Sequence, residues 1–92
     1  MIHLSATVVV NVQNWVQVPN GDVLYMMNLK TGKYLYLNEV ATEIWRHLKT
    51  PITVSVICQK LEAAFEVDAA QCQKEVLFFL AQLKQEGNLE IR

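Results

Sequence analysis

The sequence predicts an α+β fold in which a three-stranded antiparallel sheet is followed by three helices. Two observations support this prediction. Period-2 alternation and turn-forming residues dominate the first forty residues, whereas apolar residues repeat at helical spacing in the remainder. No internal repeat and no long linker interrupts this order, so residues 1–92 are expected to form a single domain.

The three strands are predicted from alternation bounded by turn signals. The first covers about 2–12, where apolar side chains alternate with polar ones. A dense turn signal, PNGD at 19–22, precedes a second strand over about 22–29. A short connection ends at Gly32, which can take a positive φ, and the third strand covers about 33–37.

Three helices are predicted, each preceded by a side chain that can accept a hydrogen bond from the first turn. Their approximate bounds are 39–48 after Asn38, 54–66 after Thr53, and 69–86 after Asp68. The first helix stops before Pro51, whose ring disfavours helical geometry in the preceding residue. The third helix ends at Gly87, a residue type common just after helix ends.

Composition excludes several classes of function. Hydrophobic residues make up 52% of the chain and charged residues 18%, which predicts apolar surface available for a partner. The net charge of −1 removes the electrostatic attraction on which nucleic-acid binding depends. The sequence has no signal peptide and no apolar run near the roughly 18 residues of a membrane span. We therefore expect a cytoplasmic protein that binds neither nucleic acid nor membrane.

Motifs for catalysis are missing from the sequence. There is no GxSxG, no HExxH and no glycine-rich phosphate loop. His3 and His47 are isolated and are expected to be surface residues, and the ligand types that zinc needs are scattered singly. Cys58 and Cys72 lack CxxC spacing and are expected to be buried apolar residues. The sequence predicts a binding protein without enzymatic activity, metal or cofactor.

The third strand is apolar on both faces. Tyr34 and Tyr36 alternate with Leu35 and Leu37, so only one pair can point into a small core. Edge strands are usually protected by charge, proline or a bulge, and apart from Lys33 this strand has none. Such an edge can accept an added peptide strand. Two alternatives remain open: an edge masked by the protein's own helix, and a homodimer that pairs through this strand.

The third helix carries more apolar residues than its core stripe needs. At 100° per residue the core stripe consists of Cys72, Val76, Phe79, Leu80 and Leu83. Leu77, Ala81 and the aliphatic stem of Lys84 form a flanking stripe. Phe78 falls nearly opposite the core stripe. The flanking stripe is predicted to form one wall of a peptide groove beside the third strand.

A combination of local features extends over most of the chain. It comprises a turn glycine, an aromatic strand, Leu-Asn before a helix containing Ile-Trp, two helix caps, and a Val-x-x-Phe-Leu-x-x-Leu run before a glycine. The residues are Gly32, Tyr34, Leu37-Asn38, Ile44-Trp45, Thr53, Asp68, Val76, Phe79-Leu80, Leu83 and Gly87. With this pattern the sequence resembles the PqqD family.

That resemblance implies a winged helix-turn-helix-like domain that recognises the leader peptides of ribosomally synthesised, modified peptides. In the family the leader adds as a strand to the edge of the third strand and lies against the third helix. Carried over by position, the peptide-binding residues would be Lys33, Tyr34, Leu35, Tyr36, Leu37, Leu77, Phe78, Ala81 and Lys84. Phe78 stands where the family more often has a small residue.

The resemblance also implies the partners. Stand-alone members of this size resemble the recognition protein of lasso-peptide biosynthesis, which delivers the precursor to a leader peptidase or another modifying enzyme. The free-standing length and hydrophobic first strand favour this type. The alternatives are a peptide chaperone for the radical SAM enzyme of pyrroloquinoline quinone synthesis, and a strand-paired homodimeric assembly protein.

Overall fold

The computed structural model describes residues 2–92. The elements are β1 (Thr7–Val10), β2 (Trp15–Asn20), β3 (Val23–Asn28), β4 (Tyr34–Leu37), α1 (Glu39–His47), β5 (Ile52–Thr53), α2 (Val54–Phe65), α3 (Ala69–Gln85) and β6 (Leu89–Ile91). A short 3₁₀ helix at Val12–Asn14 joins β1 to β2. Within this part of the chain, no helix is both long enough and apolar enough to cross a membrane.

The predicted α+β class is confirmed, with a three-stranded antiparallel sheet followed by three helices. The sheet has the order β2-β3-β4, and each strand pairs with the next along the chain. β4 is the strand that the sequence places third, and it forms one edge of this sheet. The turn into β4 is held by a hydrogen bond of 2.8 Å from the Gly32 amide to the Asn28 carbonyl, with Gly32 at a φ of 72°.

The predicted first strand over 2–12 is wrong in its extent and in its sheet. Only Thr7–Val10 forms a strand, and it is the centre of a second sheet of order β5-β1-β6. A turn in which the Ala6 amide donates to the His3 carbonyl precedes it. The Asn11 side chain accepts from the Gln13 amide at 3.1 Å and caps the 3₁₀ helix that ends the strand.

The first strand of the β2-β3-β4 sheet, β2, is not predicted from the sequence, and its last two residues overlap the predicted turn at 19–22. β2 runs to Asn20 and includes Pro19, which usually opposes strand formation. Proline is tolerated here because β2 is an edge strand. On the free side of an edge strand, a missing amide removes no hydrogen bond to the neighbouring strand. The turn itself is confined to Gly21 and Asp22.

The helices begin and end within one residue of the predicted bounds because their caps form as expected. The amides of Ala41, Val56 and Gln71 donate to the side chains of Asn38, Thr53 and Asp68 at distances of 2.9, 3.4 and 3.3 Å, respectively. At the end of α3 the Gly87 and Asn88 amides donate to the carbonyls of Lys84 and Leu83. Gly87 adopts a φ of 75°, which completes this helix stop.

Trp45 of α1 lies at the centre of the core. Its side chain is 0% exposed, packs edge-on against Trp15 at a centroid distance of 5.8 Å, and donates from Nε1 to Gln17 Oε1 at 3.0 Å. The surrounding buried side chains come from both sheets and all three helices and form one cluster. This cluster fixes α1 and α3 relative to β4, and thus shapes the surface beside that edge.

Candidate functional site

β4 separates its two kinds of side chain between the core and solvent. Leu37 is 1% exposed and Leu35 packs against the core, whereas Tyr34 is 81% and Tyr36 is 56% exposed. The leucines of β4 therefore pack in the core, whereas its tyrosines form the solvent-facing side of the strand. Lys33, just before the strand, is exposed.

The backbone of β4 presents hydrogen-bonding groups along its free edge. The Asn28 amide donates to the Lys33 carbonyl at 2.8 Å, which identifies these two residues as a hydrogen-bonded pair. Such pairs alternate along an antiparallel ladder, so the backbone groups of Leu35 and Leu37 point toward β3. Those of Tyr34 and Tyr36 point away from the sheet. Two amides and two carbonyls are thus available to another strand.

The opposite edge of the same sheet is interrupted. The Leu29 amide donates to the Asn14 carbonyl at 2.9 Å, and the same alternation places Pro19 with its nitrogen toward the free edge of β2. Proline has no amide proton, so an added strand would miss a donor there. Neither proline nor charge occurs within Tyr34–Leu37. The sheet therefore has one interrupted edge and one open edge.

A groove of about 240 Å³ lies beside the open edge, between β4, the start of α1 and α3. Its walls are mostly apolar, with a few polar residues among them. They are formed by Tyr36, Leu37, Asn38, Val40, Ala41, Ile44, Glu75, Phe78, Phe79 and Gln82. An extended segment paired with β4 would project alternate side chains into this groove.

The groove lies on the Phe78 flank of α3, and the sequence predicts a peptide-binding wall on the Leu77 flank. Phe78 lines it and is 75% exposed, so the groove wall includes the residue that the sequence places opposite the core stripe. Of the other helix residues predicted for the site, Leu77, Ala81 and Lys84 are not among the groove-lining residues of the described chain. Glu75 and Gln82 line the groove instead and are absent from the prediction.

The outer face of the sheet is also apolar, and the sequence predicts this for β4 but not for β2 and β3. Tyr25 and Tyr36 sit opposite each other on β3 and β4 with ring centroids 5.2 Å apart. Val18 of β2 continues the row and is likewise exposed. A row of this kind favours aromatic or β-branched side chains on a neighbouring strand.

The groove offers hydrogen bonding and apolar burial, and its lining includes no histidine or cysteine. Within residues 2–92, no three histidine, cysteine or carboxylate side chains are grouped so as to hold a metal ion. His3 is exposed, and His47 lies 3.5 Å from Glu43 on α1, so neither contributes to the groove. The arrangement is chemically suited to holding a peptide.

The two cysteines are buried free thiols between α2 and α3. Cys72 Sγ lies 3.6 Å from the Cys58 carbonyl oxygen. Burial raises the pKa of both thiols, that of Cys72 to about 11. A raised pKa leaves little reactive thiolate at neutral pH. Their expected role as buried apolar residues is consistent with this environment.

The raised thiol pKa values predict a loss of stability in alkali. Above about pH 9 the unfolded chain releases thiol protons that the folded chain retains, so the free energy of unfolding falls as pH rises toward 11. Urea unfolding at pH 8 and pH 10.5 measures this fall. Cys72→Val removes one of the two thiols and should show a smaller fall than the wild type. An equal fall in both proteins would assign the effect to other groups.

Comparison with known proteins relates this geometry to a family. The family model described as "Coenzyme PQQ synthesis protein D (PqqD)" matches residues 24–89. A solved structure described as "TbiB1 in Complex with the TbiA(beta) Leader Peptide" superposes with a TM-score of 0.73 at 25% identity, over 89% of this chain and 94% of that chain. No curated protein sequence matches. The family match covers most of the chain, from β3 to the start of β6, and on this basis the protein belongs to the PqqD family.

Proposed function

We propose that the protein is a non-catalytic adaptor that binds the leader peptide of a ribosomally synthesised precursor as a strand added to β4. The observation that carries the proposal is the open edge of β4, with the backbone groups of Tyr34 and Tyr36 directed outward beside an apolar groove. The TbiB1 structure, which is a complex with a leader peptide, supports this choice of ligand.

The energetics require both parts of the site. Four backbone hydrogen bonds at about 1 kcal/mol net each are largely offset by the roughly 2–5 kcal/mol needed to order a disordered peptide. Backbone pairing alone would therefore bind weakly. Each apolar side chain buried in the groove adds roughly 1.5–3 kcal/mol, so two or three such anchors give useful affinity. The groove and the open edge act together.

We further propose that the bound leader is delivered to a leader peptidase or another modifying enzyme, in the cytoplasm and in lasso-peptide biosynthesis. The leader-peptide complex of TbiB1 is consistent with this assignment. The family description favours the second candidate, a chaperone for pyrroloquinoline quinone synthesis. The leader that binds distinguishes these two pathways.

Titration of fluorescein-labelled leader peptides tests the function. The labelled leaders come from precursors encoded beside this gene, with the TbiA(beta) leader as a further probe, and anisotropy is read at low and high salt. We expect saturable binding to one leader and none to a scrambled version of it. A protein that bound no leader, and whose elution volume shifted with concentration unless Tyr36 was replaced by proline, would instead be a dimer paired through β4.

Phe78→Asp should weaken leader binding and leave the fold intact. Phe78 is mostly exposed, so its loss changes the free energy of unfolding by about 0.5 kcal/mol or less. A carboxylate in the groove would remove an apolar contact and raise Kd by about tenfold or more. Anisotropy titration measures Kd, and urea unfolding measures stability.

Ala81→Asp is the matched control for Phe78→Asp, because it adds the same carboxylate to an exposed position of α3 outside the groove lining. We expect it to leave Kd unchanged. The opposite pattern, with Ala81→Asp weakening binding and Phe78→Asp not, would place the peptide on the flank of α3 that the sequence predicts.

A further inference from the structure

Glu75 is the only charged residue among those lining the groove in the described part of the chain. It is half-buried on α3 and lies one helical turn before Phe78 and Phe79. Its Oε1 accepts from Gln71 Nε2 at 3.3 Å. The ion pairs found among residues 2–92 involve Glu43 and Glu90, so this carboxylate has no cationic partner.

Filling the groove would change the surroundings of Glu75. The carboxylate is partly hydrated in the free protein, and a peptide lying against Phe78 and Phe79 would displace some of that water. Removing a charged group from water is unfavourable unless a partner replaces the lost hydration. The Gln71 amide supplies one neutral hydrogen bond, which leaves further acceptor sites of the carboxylate free.

A cation on the ligand compensates for this desolvation most effectively. Charge-assisted hydrogen bonds from lysine or arginine are stronger than neutral ones. An acidic residue on the ligand would add repulsion to the desolvation, and an apolar residue would leave the carboxylate without a partner. Glu75 therefore discriminates among peptides that fill the apolar part of the groove equally well.

We infer that the groove selects an extended peptide carrying a lysine or arginine positioned to pair with Glu75, beside the apolar side chain that enters the groove. This inference rests on the proposed peptide-binding function and adds a charge requirement to it. The basic residue belongs to the peptide, so it defines the class of sequence that the protein recognises.

Peptide display tests the charge requirement with random sequences in place of a leader. A library of random 12-residue peptides is selected on the immobilised full chain, on Glu75→Gln and on Glu75→Lys. Wild-type selections should enrich lysine or arginine at a fixed spacing from an apolar residue. Glu75→Gln should lose this preference, and Glu75→Lys should replace it with aspartate or glutamate. Glu62→Gln, on α2 and outside the groove lining, should keep the wild-type preference.

The enriched peptide then allows a double-mutant cycle. Replacing its basic residue with glutamine should raise Kd about fivefold or more against the wild type, and have little effect against Glu75→Gln. Circular dichroism of each variant confirms that the fold is retained.

Loss of the charge requirement and loss of peptide binding give different results in these selections. Suppose that the wild type enriches peptides that Tyr36→Pro does not bind, and that these peptides show no preference for lysine or arginine. That result would overturn the role of Glu75 and leave the peptide-binding function standing. If no enriched peptide loses binding in Tyr36→Pro, both the role of Glu75 and the peptide-binding function would be overturned. An equal rise in Kd against the wild type and against Glu75→Gln, when the basic residue of the peptide is replaced, would also overturn its pairing with Glu75.

Discussion

Tyr36→Pro is expected to abolish leader binding while the helices remain folded. The Tyr36 amide points to the open edge of β4, so proline removes a donor that the added strand needs, and its ring obstructs the approaching backbone. Binding near 1 μM should weaken to roughly 100 μM or beyond, because affinity changes tenfold for each 1.4 kcal/mol. Anisotropy titration measures the loss, and far-ultraviolet circular dichroism reports the helices.

Two further substitutions isolate the role of the amide in this experiment. Tyr36→Ala keeps the donor and removes the ring, and should therefore weaken binding much less than proline does. Leu35→Pro removes an amide directed toward β3 and should destabilise the sheet itself. Retention of wild-type affinity by Tyr36→Pro would exclude strand addition at this edge.

Trp45→Ala is expected to cause the largest loss of stability. The Trp45 side chain is fully buried, and its removal leaves a cavity against Trp15 and deprives Gln17 of a hydrogen bond. Truncation of a buried tryptophan typically costs about 3–5 kcal/mol. That is a large share of the roughly 5–14 kcal/mol expected for a domain of this size. Urea unfolding followed by circular dichroism gives the difference.

Tyr34→Ala provides the matched control on an exposed aromatic residue. Tyr34 makes few contacts with the rest of the fold, so its truncation should change the free energy of unfolding by about 0.5 kcal/mol or less. Comparable losses in Trp45→Ala and Tyr34→Ala would contradict the assignment of Trp45 to the centre of the core.

Local sequence signals predict the helices well and the first strands poorly. Asn38, Thr53 and Asp68 cap helices whose hydrogen bonds form within a single turn, so their effect is visible in the sequence. The pairing of β1 with β5 and β6 depends on contacts between residues far apart in the chain, which periodicity does not reveal. β2 is missed for a related reason. Proline in a strand is tolerated only at an edge, and the edge position of β2 depends on the pairing of the whole sheet.

The candidate site shows the same division between local and long-range information. Alternation predicts an exposed pair on β4, and the structure identifies the pair as Tyr34 and Tyr36. Helical periodicity divides α3 into a core stripe and two flanks, but it cannot show which flank faces β4. That choice depends on the packing of α3 against α1 and the sheet, which places Phe78 in the groove and leaves Ala81 outside its lining.

The difference between the two edges of the β2-β3-β4 sheet limits how copies of the protein can aggregate. Fibril growth through this sheet would need each molecule to offer two free edges, so that one copy could follow another without end. Pro19 interrupts one of these edges. Pairing of two molecules through β4 would use the open edge of each and leave only interrupted edges outside. Such an assembly stops at two copies. A chain rich in apolar residues can therefore keep one edge open without forming fibrils by edge-to-edge pairing of this sheet.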